Sequence, residues 1–238
     1  MKSVGKISAF AVLVSLAVAG CGKKNVTEEV PVNPEEAVKA IEKELVQIPR
    51  AGKMGGFLMA RTEVTQRQWQ LVMGGNPSEF QGADRPVENV SYADCLAFID
   101  KLNAASKSKA RFRLPTDAEW TYACLAGSRG EIGLRPQGVE GDLDKMAWHG
   151  DNSEGETKPV AQKTPNAWGL YDMHGNVSEW TCTSNIVGQA SVRDERTVYI
   201  YYKGGSWIDA PRKCNASDSV RFGEAERSPS IGLRLVRQ

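Results

Sequence analysis

The helical periodicity of this 238-residue chain stops at Gly127 and does not return. From residue 128 to 197 glycine, asparagine and short apolar pieces take over, until TVYIYYKGGSW at 197–207 gives one clear strand. Compact helices followed by short strands and long ordered loops indicate an α+β domain. The 23 glycines, 11 prolines and six tryptophans agree with a loop-rich domain held by aromatic anchors rather than a helical bundle. Trp168, Trp180 and Trp207 are the expected anchors.

The helices are marked by their caps. Asn33-Pro34-Glu35-Glu36 offers an N-cap, a proline at the first helical position and acid in the first turn, with Ala37, Val38, Ile41 and Leu45 along one side. Thr65 caps a helix carrying Trp69, Val72 and Met73. Ser91-x-x-Asp94 and Thr116-x-x-Glu119 resemble capping boxes. The first opens a helix with Cys95, Phe98, Ile99 and Leu102 on one face; the second opens one with Trp120, Ala123 and Cys124, ending at Gly127. VQI at 46–48 and FLM at 57–59 read as strands around GKMGG, which lacks the spacing and the Lys-Ser/Thr of a phosphate loop and is therefore a turn.

Lys2 and Lys6 precede an apolar run, Ile7 to Gly20, that is shorter than the roughly 20 residues of a membrane-spanning helix and reads as a secretory signal. It ends in VAGC followed by GKKN, which resembles a bacterial lipoprotein signal with Cys21 as the lipidated residue; ordinary cleavage after Ala17-Val18-Ala19 is the other reading. The expected location is the bacterial cell envelope, lipid-anchored to a membrane and facing periplasm or exterior. A formal net charge of +1 speaks against a nucleic-acid or polyanion partner. The basic stretch KSKARFR at 107–113 reads as the solvated end of a helix and the start of a strand.

Six blocks then occur in order: RTEVTQRQW, RPVENVSYADCLAF, FRLPTDAEWTYACLAG, PNAWGLYDMHGNVSEW, KGGSW and IGLRLVR. They resemble the signature blocks of the formylglycine-generating enzyme family, the sulfatase-modifying factor domain, over about Val46 to Arg237. The resemblance implies an irregular, C-type-lectin-like α+β fold with few helices and short antiparallel strands. The expected layout is a signal over 1–20, the lipidated Cys21 with a spacer and short helix over 21–45, and the family domain over 46–238. One departure is that the chain before the EVT motif is shorter than the family leads one to expect.

In the enzymes of that family an oxygen-dependent copper site turns a sulfatase cysteine into formylglycine, using two cysteines five residues apart after the GGS motif. The matching positions here are Asp209 and Cys214. Copper(I) is soft and prefers thiolates, and a carboxylate is a hard donor, so the usual site is not expected to assemble. Cys182 could bring a second sulfur only by giving up the five-residue geometry. The resemblance instead implies a disulfide between Cys182 and Cys214, leaving Cys95 and Cys124 either as a second pair or as two buried thiols. It also implies a calcium site from the side chains of Asp172 and Glu179 and the backbone oxygens of Gly175 and Val177, with water completing the six to eight ligands calcium takes. A second family calcium site is expected near AWHGDNSEGE.

His149 and His174, the only histidines, are too few for a His-rich zinc site and read as loop or interface residues. Arg221 and Arg234 match family arginines for which a structural ion pair is the default. The segment Ile208 to Phe222 matches the family groove, with Trp207, Asp209, Arg221 and Arg234 as its candidate ligand-facing residues. The expectation is a non-catalytic binding or accessory module for a peptide, glycan or envelope protein. A copper-dependent oxidase and a structural envelope component are the alternatives.

Overall fold

The computed structural model describes residues 31–52, 54–127, 143–181 and 200–238. Helix α1 (Pro34–Lys43) is capped by the Asn33 side chain, which accepts from the Glu36 amide. It leads into the antiparallel pair β1 (Leu45–Ile48) and β2 (Phe57–Ala60). Helices α2 (Gln66–Met73), α3 (Tyr92–Ala105) and α4 (Asp117–Leu125) each begin with a reciprocal capping box, on Thr65/Gln68, Ser91/Asp94 and Thr116/Glu119. The two hydrogen bonds of each box satisfy amides that the first turn leaves without partners, and this is why three short helices start where they do. β3 (Phe112–Arg113) lies between α3 and α4. α5 (Leu143–Met146), β4 (Ser178–Thr181), β5 (Ile200–Lys203), β6 (Ser219–Phe222), β7 (Ile231–Gly232) and β8 (Val236–Arg237) follow.

The strands form two four-stranded sheets, ordered β1-β2-β8-β3 and β6-β5-β4-β7. The C-terminal residues tie them together. Ile231–Gly232 pairs in parallel with β4, and four residues later Val236–Arg237 inserts between β2 and β3. The link between them, Leu233 to Leu235, is wholly buried.

The larger core joins α1, α2 and α3 to Trp180, Ile200, Leu233 and Leu235. Trp69 stacks on Phe98 at 4.9 Å, and Trp180 takes edge contacts from Tyr92 and Tyr202. Aromatic pairs of this kind contribute about 0.5–1.5 kcal/mol beyond the area they bury. Because Ala37, Val38 and Ile41 sit in this core, α1 packs as part of the folded domain and is not only a spacer. A second core lies between the first sheet and α4, around Met59, Trp120, Ala123, Cys124, Leu170 and Met173. Cys95 is in the larger core and Cys124 in the second; both are buried thiols, so the second disulfide considered for this pair is not formed. Cys21 and Cys182 lie outside the described residues. Among the described residues no helix is long and apolar enough to cross a membrane.

Candidate ligand cleft and buried charge cluster

β5 ends at Lys203 and the chain then turns through Gly204 and Gly205, with φ of 101° and 74°. This left-handed backbone favours glycine. Space enforces the choice as well: a Cβ on Gly205 would lie 2.8 Å from both Cα and Sγ of Cys214, and one on Gly204 would lie 3.0 Å from the Trp120 ring. The two glycines therefore let the GGSW turn lie flat against the segment that returns through 209–218.

Between this turn and β6 is a cleft of about 230 Å³ lined by Ser178, Tyr202, Lys203, Asp209, Lys213 and Asp218 among others. Lys203 is its nearly buried floor, paired with Asp117 at 3.1 Å and lying 5.8 Å over the Trp120 ring. Lys213 pairs with Asp218 at 3.4 Å. Asp209 is held by the Ser206 hydroxyl, which donates to Oδ2 at 2.5 Å, while its backbone oxygen accepts from the Gly150 amide. Cys214 has no exposed surface and packs with Leu143 and Ala147 behind Gly205. The two positions five residues apart are thus not equivalent: the carboxylate faces the cleft and the sulfur is withdrawn from it. Ser178 is small and lines the cleft.

Of the other candidate groove residues, Trp207 is half-buried, donates from Nε1 to the Pro229 oxygen and meets Phe80 edge-on at 5.0 Å. Arg221 is on the exposed face of β6. Arg234 is not in the groove. It is completely buried, with Nε, Nη1 and Nη2 all donating to Glu179 or to backbone oxygens.

That pocket is the second feature of the site. Arg234 meets Glu179 through Nε and Nη2, at 2.9 and 2.7 Å to Oε1, and donates to the backbone oxygens of Ala60 and Tyr171. The other Glu179 oxygen accepts from Trp120 Nε1 at 2.6 Å and from Arg234 Nε at 3.0 Å. Beside them Glu63 accepts from the Val177 amide and the Asn176 side chain. Burial first, then the negative charges of Asp172 and Glu179, hold the Glu63 carboxyl well above the usual carboxylate range. Asp172 is pushed up to about 6, again chiefly by burial. One of its oxygens accepts from the Ala161 amide, and the other, Oδ1, is buried with no hydrogen-bond partner.

The turn that carries the expected calcium ligands is built by unusual backbone. Asp172 and Asn176 have φ near 60°, and a Cβ on Gly175 would come within 2.1 Å of the Trp148 oxygen. Asn176 can adopt this backbone because both ends of its amide are bonded, to Glu63 and to the backbone of Lys158. The orphaned Asp172 Oδ1 fits a cation. Glu179 does not offer itself in the same way, since both of its oxygens are engaged by Arg234 and Trp120. Among the described residues no three His, Cys, Asp or Glu side chains form a metal-holding group by themselves.

Near the AWHGDNSEGE stretch His149 Nε2 lies 2.7 Å from Asp144, with Asn152 against both. His174 is buried beside the Cys124 sulfur, 3.6 Å from Nε2. Glu63, Lys203 and Ser206 were not singled out by the sequence; the only signal for them was their place inside the RTEVT and KGGSW blocks.

Comparison with known proteins agrees with this geometry. The chain is 30% identical over 232 residues to the chaperone protein LppX of Paenibacillus barcinonensis, covering 77% of this chain and 81% of that one. It is 31% identical over 200 residues to the formylglycine-generating enzyme of Mycobacterium tuberculosis, covering 71% of this chain but 62% of the enzyme's length. Among solved structures, Treponema denticola variable protein 1 superposes with a TM-score of 0.64 at 28% identity, over 81% of this chain and 90% of that one. A family model, the sulfatase-modifying factor enzyme 1-like domain, matches residues 22–238, and the chain belongs to that family.

Proposed function

We propose that this chain is an exported, membrane-tethered accessory domain that binds a peptide, glycan or envelope protein at the cleft between β5 and β6 and carries out no copper oxidase chemistry. One observation carries this reading: Asp209 faces the cleft as an oxygen donor anchored by Ser206, while Cys214 is wholly buried behind Gly205. Linear copper(I) chemistry needs two sulfurs that converge on accessible space, and an oxygen donor at position 209 does not supply one. The cleft's paired opposite charges, Lys203 with Asp117 and Lys213 with Asp218, favour a ligand with both donors and acceptors over a simple anion. A relative named as a chaperone supports an accessory role over a purely structural one.

The anchor belongs to the same proposal and rests on the VAGC signal at 18–21. So does calcium, for which the orphaned oxygen of Asp172 is the support. Asp172 with the backbone oxygens of Gly175 and Val177 would hold it, and Glu179 would serve as counter-ion to Arg234. A bound calcium would neutralise part of the buried acidic charge; the binding role assigned to the cleft does not depend on it.

The test is incubation of the purified protein with copper, oxygen and a peptide carrying the sulfatase Cys-x-Pro-x-Arg sequence. The proposal expects no aldehyde above the peptide-only control. Stoichiometric conversion of the peptide cysteine would return the chain to the oxidases.

A further inference from the structure

A net charge of +1 conceals a local asymmetry at the C-terminal end of α3. Lys101, Lys107, Lys109 and Arg111 are all exposed within eleven residues, against one exposed acid, Asp100. The outward face of α3 leading to them carries Leu96 at 40% exposure and the small residues Ala93, Ala97 and Ala104, with Asp100 and Lys101 between them. Four cations clustered at one helix end, on a surface of small side chains, have the pattern of an element that rests on an anionic membrane surface.

The position of this face relative to the anchor gives it a partner. Glu35 and Lys39, in the first two turns of α1, line the same pocket as Ala105, Lys107 and Ser108. Twelve residues, 22–33, separate Cys21 from α1. A chain of that length reaches at most about 40 Å when fully extended. The end of the domain that receives the tether is therefore the end that carries the basic segment. The exposed acids nearby, Asp100, Glu35 and Glu36, are outnumbered by Lys39, Lys101, Lys107, Lys109 and Arg111, and Glu42 is already paired with Arg237 at 3.1 Å.

We infer that the outer face of α3 and the basic segment 107–111 dock on the anionic lipid surface of the membrane that holds Cys21, so that the anchored domain has a fixed orientation. This rests on the lipid-anchor reading. It gives KSKARFR a role beyond that of a solvated helix end.

The experiment uses the lipidated full chain in vesicles, with acetylation of individual lysines followed by mass spectrometry. In phosphatidylcholine mixed with phosphatidylglycerol, Lys107 and Lys109 should react about fivefold or more slowly than in pure phosphatidylcholine. That protection should vanish in about 1 M salt, where the screening length is near 3 Å. Replacing both lysines by glutamate, K107E with K109E, should leave the chain on the vesicles through its lipid but expose Lys101 to the reagent. Equal acetylation in the two lipid compositions, with the chain floating on both, would overturn the docking inference while leaving the anchor intact. A chain that floats on neither would overturn both.

Discussion

Arg234 and Glu179 meet deep in the interior, at 2.7 Å from Nη2 to Oε1, and together join the C-terminal strand link to β4. Burial alone would lower the guanidinium's pKa, but Glu179 beside it, with Glu63 and Asp172, raises it. Removing one member leaves the other charge uncompensated in the interior, which costs about 3–5 kcal/mol. Arg234→Met should therefore lower the urea midpoint substantially. Arg234→Lys should rescue little, because one ammonium cannot also reach the backbone oxygens of Ala60 and Tyr171. Near-wild-type stability of Arg234→Lys would count against the geometry described.

Glu88 titrates in the wrong range for an exposed acid. Burial raises it to about 7, although Oε1 accepts from the Phe80 amide, and Oε2 is buried without a partner. The folded chain keeps this proton up to about pH 7, whereas the unfolded chain releases it near 4.5. Stability is thus greatest below the lower value and falls as pH climbs between the two. At about 1.4 kcal/mol per pH unit, the loss is on the order of 3 kcal/mol. Glu88→Gln should flatten this slope in denaturation curves taken across that range and be the more stable protein at pH 8. An unchanged slope would show that Glu88 is not its source.

Calcium should raise the melting temperature through Asp172. A ligand at 100 times its dissociation constant adds about 2.7 kcal/mol to stability. Chelation should remove the increment, and Asp172→Asn should be insensitive to calcium and chelator alike. A full calcium response in Asp172→Asn would move the site elsewhere, for instance to the turn around Asp144 and Asn152.

The cysteines make a prediction about redox state. A Cys182–Cys214 disulfide closes a loop of roughly 30 residues and is worth about 3–4 kcal/mol. Peptide mapping of the oxidised protein should find this bond, and thiol reduction should lower stability by that amount. Cys95 and Cys124 should react with alkylating reagent only on unfolding, since burial pushes both thiols up and removes them from solvent. A mapped Cys95–Cys124 bond would contradict the placement of these residues in separate cores.

Local chemistry made much of the first half legible. Thr65, Ser91 and Thr116 announce their helices because a side-chain cap is a contact within three residues, and the core faces of α3 and α4 follow from a 3.6-residue period. The start of β3 was read in KSKARFR, but the short strands β7 and β8 were not legible. Two residues carry no periodicity, and Phe112 and Val236 become strand only by pairing across more than a hundred positions. The charge cluster divides in the same way. Asp172, Gly175 and Glu179 stood out within one turn, but the competition between calcium and Arg234 for Glu179 depends on a partner 55 residues away. Arg234 was read both as an ion-pair arginine, by default, and as a groove candidate, and only its partner Glu179 decides for the ion pair. The block resemblance located the cleft, and the withdrawal of Cys214 behind Gly205 became visible only in three dimensions.

Asp209, facing the cleft, offers copper an oxygen where a second sulfur is required. X-ray absorption of the protein titrated with copper(I) tests it directly. No stoichiometric copper site with two sulfur neighbours should be found. A linear two-sulfur site that includes Cys214 and binds one copper per chain would contradict it.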